Sequence, residues 1–362
     1  MTLSSNRKRP WVETPLIKSP SLSKAAGCNV FLKLENTQPS GSFKSRGVGN
    51  YMMAKLAALP PDHGPVHFYS SSGGNAGLAC VDAAVTLGYR ATVVVPLSTS
   101  DRMVQRLVLT GAADVQQRGK SWQEADDHLT GTVIPGARAR GEAAIYVPPF
   151  DAQEIWDGNA SIVHEIKRQI GSCTGHYPRS SPSAVEAAAA AAEASPISNI
   201  VDAIVCSVGG GGLFCGLMKG LDDLDMKTTR VIAVETEGAD SLSQAVEKGE
   251  LVTLPGITSL ATSLGARTVC KKALEYGLRD TVKTAVLSDR KAIRACQQFL
   301  DDHKILVELA CSVCPALCYL NQLERLVPGL NEESVVVLVI CGGSNMTFDM
   351  LDKYRALDGN DA

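Results

Sequence analysis

The sequence is short of several residue types and patterns, and each shortage argues against a class of protein. Aromatic residues make up 5% of the 362 residues, and only 6 residues are histidine. The formal net charge of −3 does not favour binding to nucleic acid or to an anionic membrane surface. No apolar run approaches the roughly 18 residues of a membrane span. Residues 1–15 contain no apolar signal-peptide core, so we expect a cytoplasmic protein.

Cysteine, in contrast, is plentiful. The chain has 11 cysteines, an odd number, and most of them lie in apolar segments, as Cys80 and Cys206 do. This pattern is typical of reduced, buried thiols in an intracellular protein. Cys311 and Cys314 form a close pair, but no second pair or neighbouring histidine completes a zinc site. We therefore expect no metal or redox role for that pair.

The order of apolar segments predicts an α/β protein. The length favours about two domains, and 45% hydrophobic residues suffice for a large core. Near-continuous apolar strands alternate with amphipathic helices, which is typical of mostly parallel, buried sheets. The predicted strands are 30–35, 67–71, 91–96, 144–149, 203–208, 230–235 and 334–341. The predicted helices are 76–87, 101–110, 155–170, 213–221, 289–302 and 314–326. An alanine-rich, low-complexity insertion is expected at 172–199.

Three glycine-rich loops follow predicted strands, where ligands bind in open α/β sheets. The loop SSSGGNAG, residues 70–77, can cradle a carboxylate, although an ordinary turn capped by Asn75 fits as well. The loop SVGGGGLFCGL, residues 207–217, places four glycines before a helix, which favours a phosphate site. It matches neither the dinucleotide motif nor the Walker loop, so another phosphate-bearing cofactor is indicated. In VVVLVICGGSN, residues 335–345, Cys341 either fills space or faces a ligand.

A fourth loop, PSGSFKSRG at 39–47, places Lys44 near a predicted helix start, where the helix dipole disfavours a positive charge. A solvated surface lysine is the ordinary interpretation. A lysine beside an aromatic residue, together with a phosphate cradle, is what pyridoxal phosphate requires, because the amine forms a Schiff base with its aldehyde. Phe43 can then stack on the ring. We therefore predict a pyridoxal phosphate site with Lys44 at its centre.

At this point the sequence resembles a known family, the fold-type II pyridoxal-phosphate enzymes of the L-serine dehydratase/L-threonine deaminase group. The resemblance runs from TPL at 14–16 to GGSN at 342–345 and is closest to the cytosolic serine dehydratases of animals and fungi. Its anchors are QPSGSFKSRG, SSGGNAG, VPPFDAQEIWDGNASIV, SVGGGGL, VETEGADS, LPGITSLATSLG, DDHKILVE and CGGSN. It implies two open, twisted, mostly parallel α/β domains, as in the tryptophan synthase β subunit, and a homodimer. Residues 1–47 and 147–362 would form the large domain, and 48–146 a smaller inserted one.

The resemblance also implies roles for individual residues. Lys44 would be the Schiff-base lysine and the base that removes the substrate Cα proton. The other cofactor-binding residues would be Phe43, Asn75, Gly209, Gly210, Gly211, Gly212, Ser263 and Cys341. The substrate-binding residues would be Ser72, Gly73, Asn75 and Phe150. A monovalent cation, K⁺ by expectation, would be held at Gly209, Glu235, Ala239, Leu264 and Ala266.

The implied reaction is β-elimination of water from L-serine, giving pyruvate and ammonia, with L-threonine giving 2-oxobutyrate. Gly73 argues against racemisation, because racemases of this fold carry a serine there that protonates the opposite face of Cα. Three positions depart from the usual pattern. Leu309 replaces a proline, Ser312 replaces a glycine, and Ser263 replaces an alanine beside the ring. Pro315 falls where we predict the start of a helix. These departures bear on substrate preference.

Three other interpretations remain open at this stage. A synthase or a specialised lyase of the same fold would act on another β-substituted amino acid. The synthase would form its product only with an added nucleophile. A biosynthetic threonine deaminase would carry a C-terminal regulatory domain, which is not expected after GGSN. A non-catalytic binding protein on the same scaffold would show no visible-range absorbance from a bound cofactor.

Overall fold

The computed structural model describes residues 8–173 and 201–359. The predicted low-complexity insertion lies outside these residues, except for 172 and 173 at the end of a helix. The strands are β1 (Leu16–Lys18), β2 (Asn29–Lys33), β3 (Val66–Ser70), β4 (Arg90–Val95), β5 (Asp114–Gln117), β6 (Ala143–Tyr146), β7 (Ala203–Ser207), β8 (Arg230–Thr236), β9 (Val282–Leu287) and β10 (Val335–Val339).

The helices, in chain order, connect these strands. They are α1 (Pro20–Ala26), α2 (Lys44–Ala57), α3 (Asn75–Leu87), α4 (Asp101–Thr110), α5 (Trp122–His128), α6 (Ile134–Ala139), α7 (Gln153–Cys173), α8 (Gly212–Asp223), α9 (Ser241–Lys248), α10 (Lys271–Gly277), α11 (Asp289–His303), α12 (Leu309–Tyr319), α13 (Leu323–Leu326) and α14 (Phe348–Gly359). A π-helical turn, Leu129–Val133, joins α5 to α6.

The chain divides into two compact units. The first contains the residues up to Val12, Thr37–Asn159 and Gly343–Asn345. The second contains Glu13–Asn36, Ala160–Gly342 and the residues from Met346 onward. The predicted inserted domain, 48–146, falls inside the first unit, which extends further at both ends. Compactness alone does not define a domain that folds independently, so the predicted domain limits stay a prediction.

The first unit is built on a four-stranded parallel sheet in the order β5-β4-β3-β6. All five residues of β3 are buried, because this strand lies inside the sheet and helices supply apolar side chains to it. Met52 of α2 and Leu107 of α4, for example, belong to the same core as Phe68 of β3. The carboxyl end of β3 therefore leads directly into the loop that begins at Ser70.

The second unit is built on a six-stranded sheet in the order β1-β2-β10-β7-β8-β9. Only the β1–β2 pair is antiparallel, and the other four pairs are parallel. The central strands β10 and β7 are fully buried, which is the environment that their Val- and Ile-rich sequences predict. Their carboxyl ends lead into the predicted loops at 207–217 and 335–345.

The predicted fold class, α/β with mostly parallel sheets, is confirmed by this topology. One predicted helix is wrong in its limits. We predicted a single helix over 314–326 with Pro315 in its first turn, whereas α12 begins at Leu309 and α13 is separate. Pro315 therefore lies inside a helix, at a cost of about 3 kcal/mol in an unsupported helix. Residues 309–318 are all buried, so tertiary packing offsets the local preference of proline.

Candidate active site

Lys44 is the first residue of α2, and its amine is fixed by a backbone carbonyl. Lys44 Nζ donates a hydrogen bond of 2.5 Å to the carbonyl oxygen of Pro149 and lies 5.2 Å from the ring centroid of Phe43. Both side chains are half-buried. The preceding loop is braced from within, because Ser45 Oγ lies 2.8 Å from Ser40 Oγ. The unfavourable charge at a helix start is thus compensated by a carbonyl aimed at the amine.

The loop after β3 holds three of the predicted substrate-binding residues. Ser72 Oγ accepts a hydrogen bond of 3.3 Å from the amide of Gly74, and Asn75 begins α3. Asn75 Oδ1 accepts a hydrogen bond of 2.9 Å from the amide of Ser344. A β-carbon at Gly73 would lie 2.9 Å from Thr99 Cγ2, closer than real side chains approach. The serine that racemases carry at this position therefore has no room here unless Thr99 moves.

Two further segments of the first unit lie beside these loops. Phe150 follows Pro149, and its carbonyl accepts a hydrogen bond from the indole of Trp156. Arg102 donates two hydrogen bonds of 3.0 Å to the carbonyls of Ser344 and Asn345. Arg102 was not predicted as a site residue, because its partners lie 242 and 243 residues away along the chain.

The tetraglycine run begins two residues after β7 and opens α8. Gly211 has φ of +96°, and a β-carbon there would lie 2.6 Å from the β-carbon of Ala273. A β-carbon at Gly209 would lie 3.2 Å from Leu264 Cα. Gly211 therefore requires glycine, for its backbone angle and for space, and Gly209 leaves little room for a side chain. Since α8 starts at Gly212, the run brings backbone amides to the positive end of a helix, which favours an anion.

Ser263 is held by a carboxylate that the sequence analysis did not assign to the site. Its hydroxyl donates a hydrogen bond to Glu308 Oε2. Ser263 is exposed, whereas Glu308 is buried and precedes α12. A buried carboxylate that accepts from an exposed hydroxyl fixes the rotamer of that hydroxyl. Glu308 lies in the ILVELA segment, so the sequence marked its neighbourhood without indicating its partner.

Cys341 lies among other buried sulfur atoms at the end of β10. Its Sγ is 3.5 Å from Ser207 Oγ and 3.8 Å from the carbonyl of Gly342. Cys311 forms a hydrogen bond with Cys341, and burial raises the pKa of Cys311 and Cys314 well above the usual range of a thiol. These two neighbours are therefore neutral thiols at neutral pH. Ser207 is the last residue of β7, two residues before the glycine run, so Cys341 is anchored to that strand end.

Glu235 is completely buried at the end of β8, and burial raises its pKa to about 7. Its two carboxylate oxygens accept hydrogen bonds from the amides of Leu242 and Ser243, at 2.9 and 2.7 Å. The hydroxyl of Ser241 is also buried, and among the described residues no group hydrogen-bonds to it. A buried carboxylate is costly unless it is hydrogen-bonded or paired with a positive charge, and here two backbone amides supply part of that compensation.

The other predicted cation residues share this region only in part. Ala239 pairs with Thr236 at the end of β8, next to Glu235. Gly209 lies against Leu264, and the carbonyl of Leu264 accepts a hydrogen bond from the amide of Ala266. Within the described residues, no group of three His, Cys, Asp or Glu side chains is arranged to hold a metal ion. A cation here would depend largely on backbone carbonyls.

The predicted site residues are therefore divided between the two units. Lys44, Phe43, Ser72, Gly73, Asn75 and Phe150 belong to the first unit. Gly209–Gly212, Ser263, Cys341 and the predicted cation residues belong to the second. Within the described part of the chain, no helix has both the length and the apolar character needed to cross a membrane.

Comparison with known proteins identifies the family to which these loops belong. The model of the family described as "Pyridoxal-phosphate dependent enzyme" matches residues 8–342. This chain belongs to the pyridoxal-phosphate dependent enzymes. It is 41% identical to a rat protein named "Serine dehydratase-like", over 94% of this chain and 93% of that relative. It is 37% identical to an L-serine dehydratase of Saccharomyces cerevisiae, over 94% of this chain and 96% of that protein.

The chain is also similar to a solved structure. The crystal structure of a fungal L-serine ammonia-lyase from Rhizomucor miehei superposes with a TM-score of 0.81 at 34% identity. The match covers 96% of this chain and 99% of that one. The predicted family and the fold-type II class are thereby confirmed.

The residues of the site fit the cofactor of the family. The glycine run leaves backbone amides at the start of α8 and excludes side chains, which is the chemistry that binds a phosphate. Lys44 supplies a primary amine at a defined position, 2.5 Å from the Pro149 carbonyl. An amine and a phosphate cradle are the two groups that pyridoxal 5′-phosphate needs from a protein.

Proposed function

We propose that this chain is an L-serine/L-threonine ammonia-lyase. It would remove water from L-serine and release an enamine that hydrolyses to pyruvate and ammonia, and L-threonine would give 2-oxobutyrate. The observation that carries the proposal is that relatives named for serine dehydration match more than nine-tenths of the chain. The lysine and the glycine run fit the cofactor that such a reaction uses.

Lys44 would have two tasks. It would hold the cofactor through its amine, and after the substrate has taken its place it would receive the Cα proton at Nζ. Bound pyridoxal 5′-phosphate supplies an electron sink that makes this proton acidic. The hydrogen bond to the Pro149 carbonyl keeps Nζ at one position, which supports the transfer of a proton at a defined atom.

The remaining cofactor contacts are those that the resemblance to the family implies. Gly209–Gly212 would hold the phosphate through backbone amides. Phe43 and Ser263 would lie against the ring, Asn75 would donate to the ring oxygen, and Cys341 would contact the ring nitrogen. Cys341 is supported by Ser207 and Ser263 by Glu308, so both side chains are pre-positioned.

The substrate carboxylate would be held by the loop after β3. Ser72 and Asn75 supply polar side chains, and the backbone amide of Gly73 supplies a further donor. Phe150, next to the carbonyl that binds Lys44, would contact the substrate side chain. The absence of space for a side chain at Gly73 supports elimination over racemisation, since no hydroxyl can act from that position.

We also propose that K⁺ binds beside Glu235. The ion would use carbonyls of Gly209, Ala239, Leu264 and Ala266 together with the buried carboxylate. The unsatisfied hydroxyl of Ser241 supports this assignment, because it offers one more oxygen ligand in the same region. Replacing K⁺ by Li⁺ in the assay buffer should lower kcat, and adding K⁺ back should restore it. Equal rates in both ions would contradict the assignment.

We further propose a homodimer that works in the cytoplasm, with an inserted domain at 48–146 and a large domain formed by 1–47 and 147–362. Ten described cysteines are buried thiols, a composition typical of a reducing compartment. The four-stranded sheet, from Val66 to Tyr146, lies within the proposed insert. Light scattering coupled to gel filtration measures the mass in solution, and a monomeric mass would contradict the dimer.

The experiment that tests the activity uses purified protein with L-serine, L-threonine and D-serine in turn. The visible absorbance of the bound cofactor is recorded first, and formation of a 2-oxo acid is then followed. We expect pyruvate from L-serine without any added nucleophile. Cofactor absorbance without a 2-oxo acid from either L-substrate would contradict the proposed reaction and favour a β-replacement synthase or a specialised lyase. Absence of cofactor absorbance would favour a binding protein.

A further inference from the structure

Two buried cysteines that the proposed reaction does not use are in contact with each other next to the glycine run. Cys215 lies in the first turns of α8, and Cys270 immediately precedes α10. Their sulfur atoms are 3.6 Å apart, although 55 residues separate them in the sequence. Cys215 is fully buried and Cys270 is 4% exposed. The two thiols are in contact with each other, and both lie next to the loop proposed to hold a phosphate.

Both cysteines are connected to that loop through the backbone. The amide of Cys215 donates a hydrogen bond of 2.8 Å to the carbonyl of Gly211. The amide of Cys270 donates one of 3.0 Å to the carbonyl of Gly210. A β-carbon at Gly211 would lie 3.2 Å from Cys270 Sγ and 3.9 Å from Cys215 Sγ. A movement of either backbone that brings the two sulfur atoms together therefore acts on Gly210 and Gly211.

We propose that Cys215 and Cys270 are a reversible oxidation site, and that the disulfide weakens binding of the cofactor at the glycine run. The sulfur atoms are already in van der Waals contact, and a disulfide bond of about 2.05 Å requires them to approach by roughly a further 1.5 Å. Because both residues are hydrogen-bonded to the loop, this approach displaces the amides that would hold the phosphate. The reduced pair is compatible with the loop as it stands.

The oxidation balances with hydrogen peroxide as the oxidant. Cys270 is the more exposed of the two, so its sulfur attacks peroxide, the O–O bond breaks, and one water leaves as a sulfenic acid forms. Cys215 sulfur then attacks the Cys270 sulfur, the S–O bond breaks, and a second water leaves. Two thiols lose two electrons and two protons, and one peroxide becomes two waters. A dithiol reductant reverses the change.

The effect on the cofactor rests on the proposed role of Gly209–Gly212, whereas formation of the disulfide does not. The two parts therefore need separate readouts. The holoenzyme is treated with hydrogen peroxide, its remaining thiols are alkylated, and non-reducing peptide mapping identifies the linked peptides. Dissociation of pyridoxal phosphate is then measured for the reduced, the oxidised and the dithiothreitol-treated protein.

We expect a linked peptide pair containing positions 215 and 270, reversed by dithiothreitol. Affinity for the cofactor should fall by at least about tenfold on oxidation, since losing one hydrogen bond to a charged group already costs about that factor. The variants Cys270→Ser and Cys215→Ala should form no link and keep their affinity after peroxide. Cys80→Ala is the matched control, because Cys80 is equally buried in the other unit and should leave the response unchanged.

Two results would overturn the inference. One is oxidation of other cysteines while the peptides with positions 215 and 270 stay unlinked. The other is a formed link with cofactor affinity unchanged. Failure of the proposed function would look different, because the reduced protein would then bind no cofactor while the peptide link still formed.

Discussion

Ser263 departs from the family pattern, which usually has an alanine there, and this serine makes a contact with Glu308. The exposed hydroxyl of Ser263 donates to a carboxylate that is otherwise buried. Where an alanine stands at this position, no such donor exists. The serine therefore contributes a stabilising hydrogen bond. Removing its hydroxyl takes one donor away from a buried carboxylate oxygen of Glu308, which costs stability.

We predict that Ser263→Ala lowers the free energy of unfolding by about 1–3 kcal/mol and leaves kcat within a few fold of wild type. Urea denaturation measures the first quantity and 2-oxo acid formation the second. Thr262→Ala, at the exposed neighbouring position, serves as the control and should change neither. A loss of kcat of a hundredfold or more, with unchanged stability, would mean that the Ser263 hydroxyl takes part in the reaction.

At the scale of elements, a buried ion pair joins β2 to α7 within the second unit. Lys33 Nζ lies 2.6 Å from Glu165 Oε2 and also donates to the carbonyl of Thr14 and to Gln169 Oε1, at 2.7 and 2.9 Å. The Lys33 side chain is completely buried and that of Glu165 is 8% exposed. Every donor of the ammonium group thus has a partner, which compensates for the loss of its hydration.

We predict that Lys33→Met destabilises the protein by about 3–5 kcal/mol, because it leaves the Glu165 charge buried without its cation. Glu165→Gln should destabilise by a comparable amount. The double variant should be more stable than the sum of the two single effects predicts, which a double-mutant cycle of unfolding free energies measures. Additive effects would contradict the assignment of the pair as one unit.

The stability of the first unit should depend on pH through β3. His67 is buried, and its Nε2 lies 2.9 Å from Thr92 Oγ1. Burial lowers the pKa of His67, although Glu142 opposes this effect. The unfolded chain therefore binds a proton at higher pH than the folded chain does. The stability that results is present above the unfolded pKa near 6.5 and is lost as the pH falls below it.

We predict that the free energy of unfolding decreases between pH 7.5 and pH 5.5, and that His67→Asn makes this decrease smaller. Denaturation curves at the two pH values give the slope. His63→Asn, at an exposed position, is the control and should retain the wild-type slope. A wild-type slope in His67→Asn would show that another group is responsible.

Seven of the ten described strands and the site loops were predictable, because each depends on residues close together in the sequence, whereas β1, β5 and β9 had no predicted counterpart. The apolar runs predicted β3, β7 and β10 to within one or two residues, and the small residues after them predicted the loops. Contacts across long separations were not predictable. The carbonyl that fixes Lys44 comes from position 149, and the carboxylate that holds Ser263 comes from position 308. The pair of Cys215 and Cys270 had no signal in the sequence either.

Pro315 shows the opposite effect, in which a strong local signal was misleading. A proline favours the first turn of a helix, and the sequence prediction placed it there. The structure begins α12 at Leu309, five residues before the predicted start, because Leu309 to Cys318 are all buried and the energy of packing exceeds the local penalty. The preference of a residue for a helix position therefore predicts the limits of a helix only where burial does not outweigh it.

At the scale of the whole molecule, the cofactor should contribute to stability as well as to the reaction. A ligand that binds only the folded state stabilises it by about 2.7 kcal/mol when present at 100 times its Kd. We predict that removing the cofactor with hydroxylamine lowers Tm, and that adding pyridoxal 5′-phosphate restores it. Pyridoxal without the phosphate should restore less, because the glycine run then has no group to hold. Equal restoration by both compounds would contradict the role of Gly209–Gly212.

The measurement that tests the central claim most directly is the identity of the lysine that holds the cofactor. The holoenzyme is reduced with sodium borohydride, which makes the attachment permanent, and is then digested and mapped by mass spectrometry. We predict that the cofactor mass is found on the peptide containing Lys44, and that the Lys44→Ala variant carries no such mass and forms no pyruvate from L-serine. Attachment to a different lysine, or pyruvate formation by Lys44→Ala at the wild-type rate, would contradict the account.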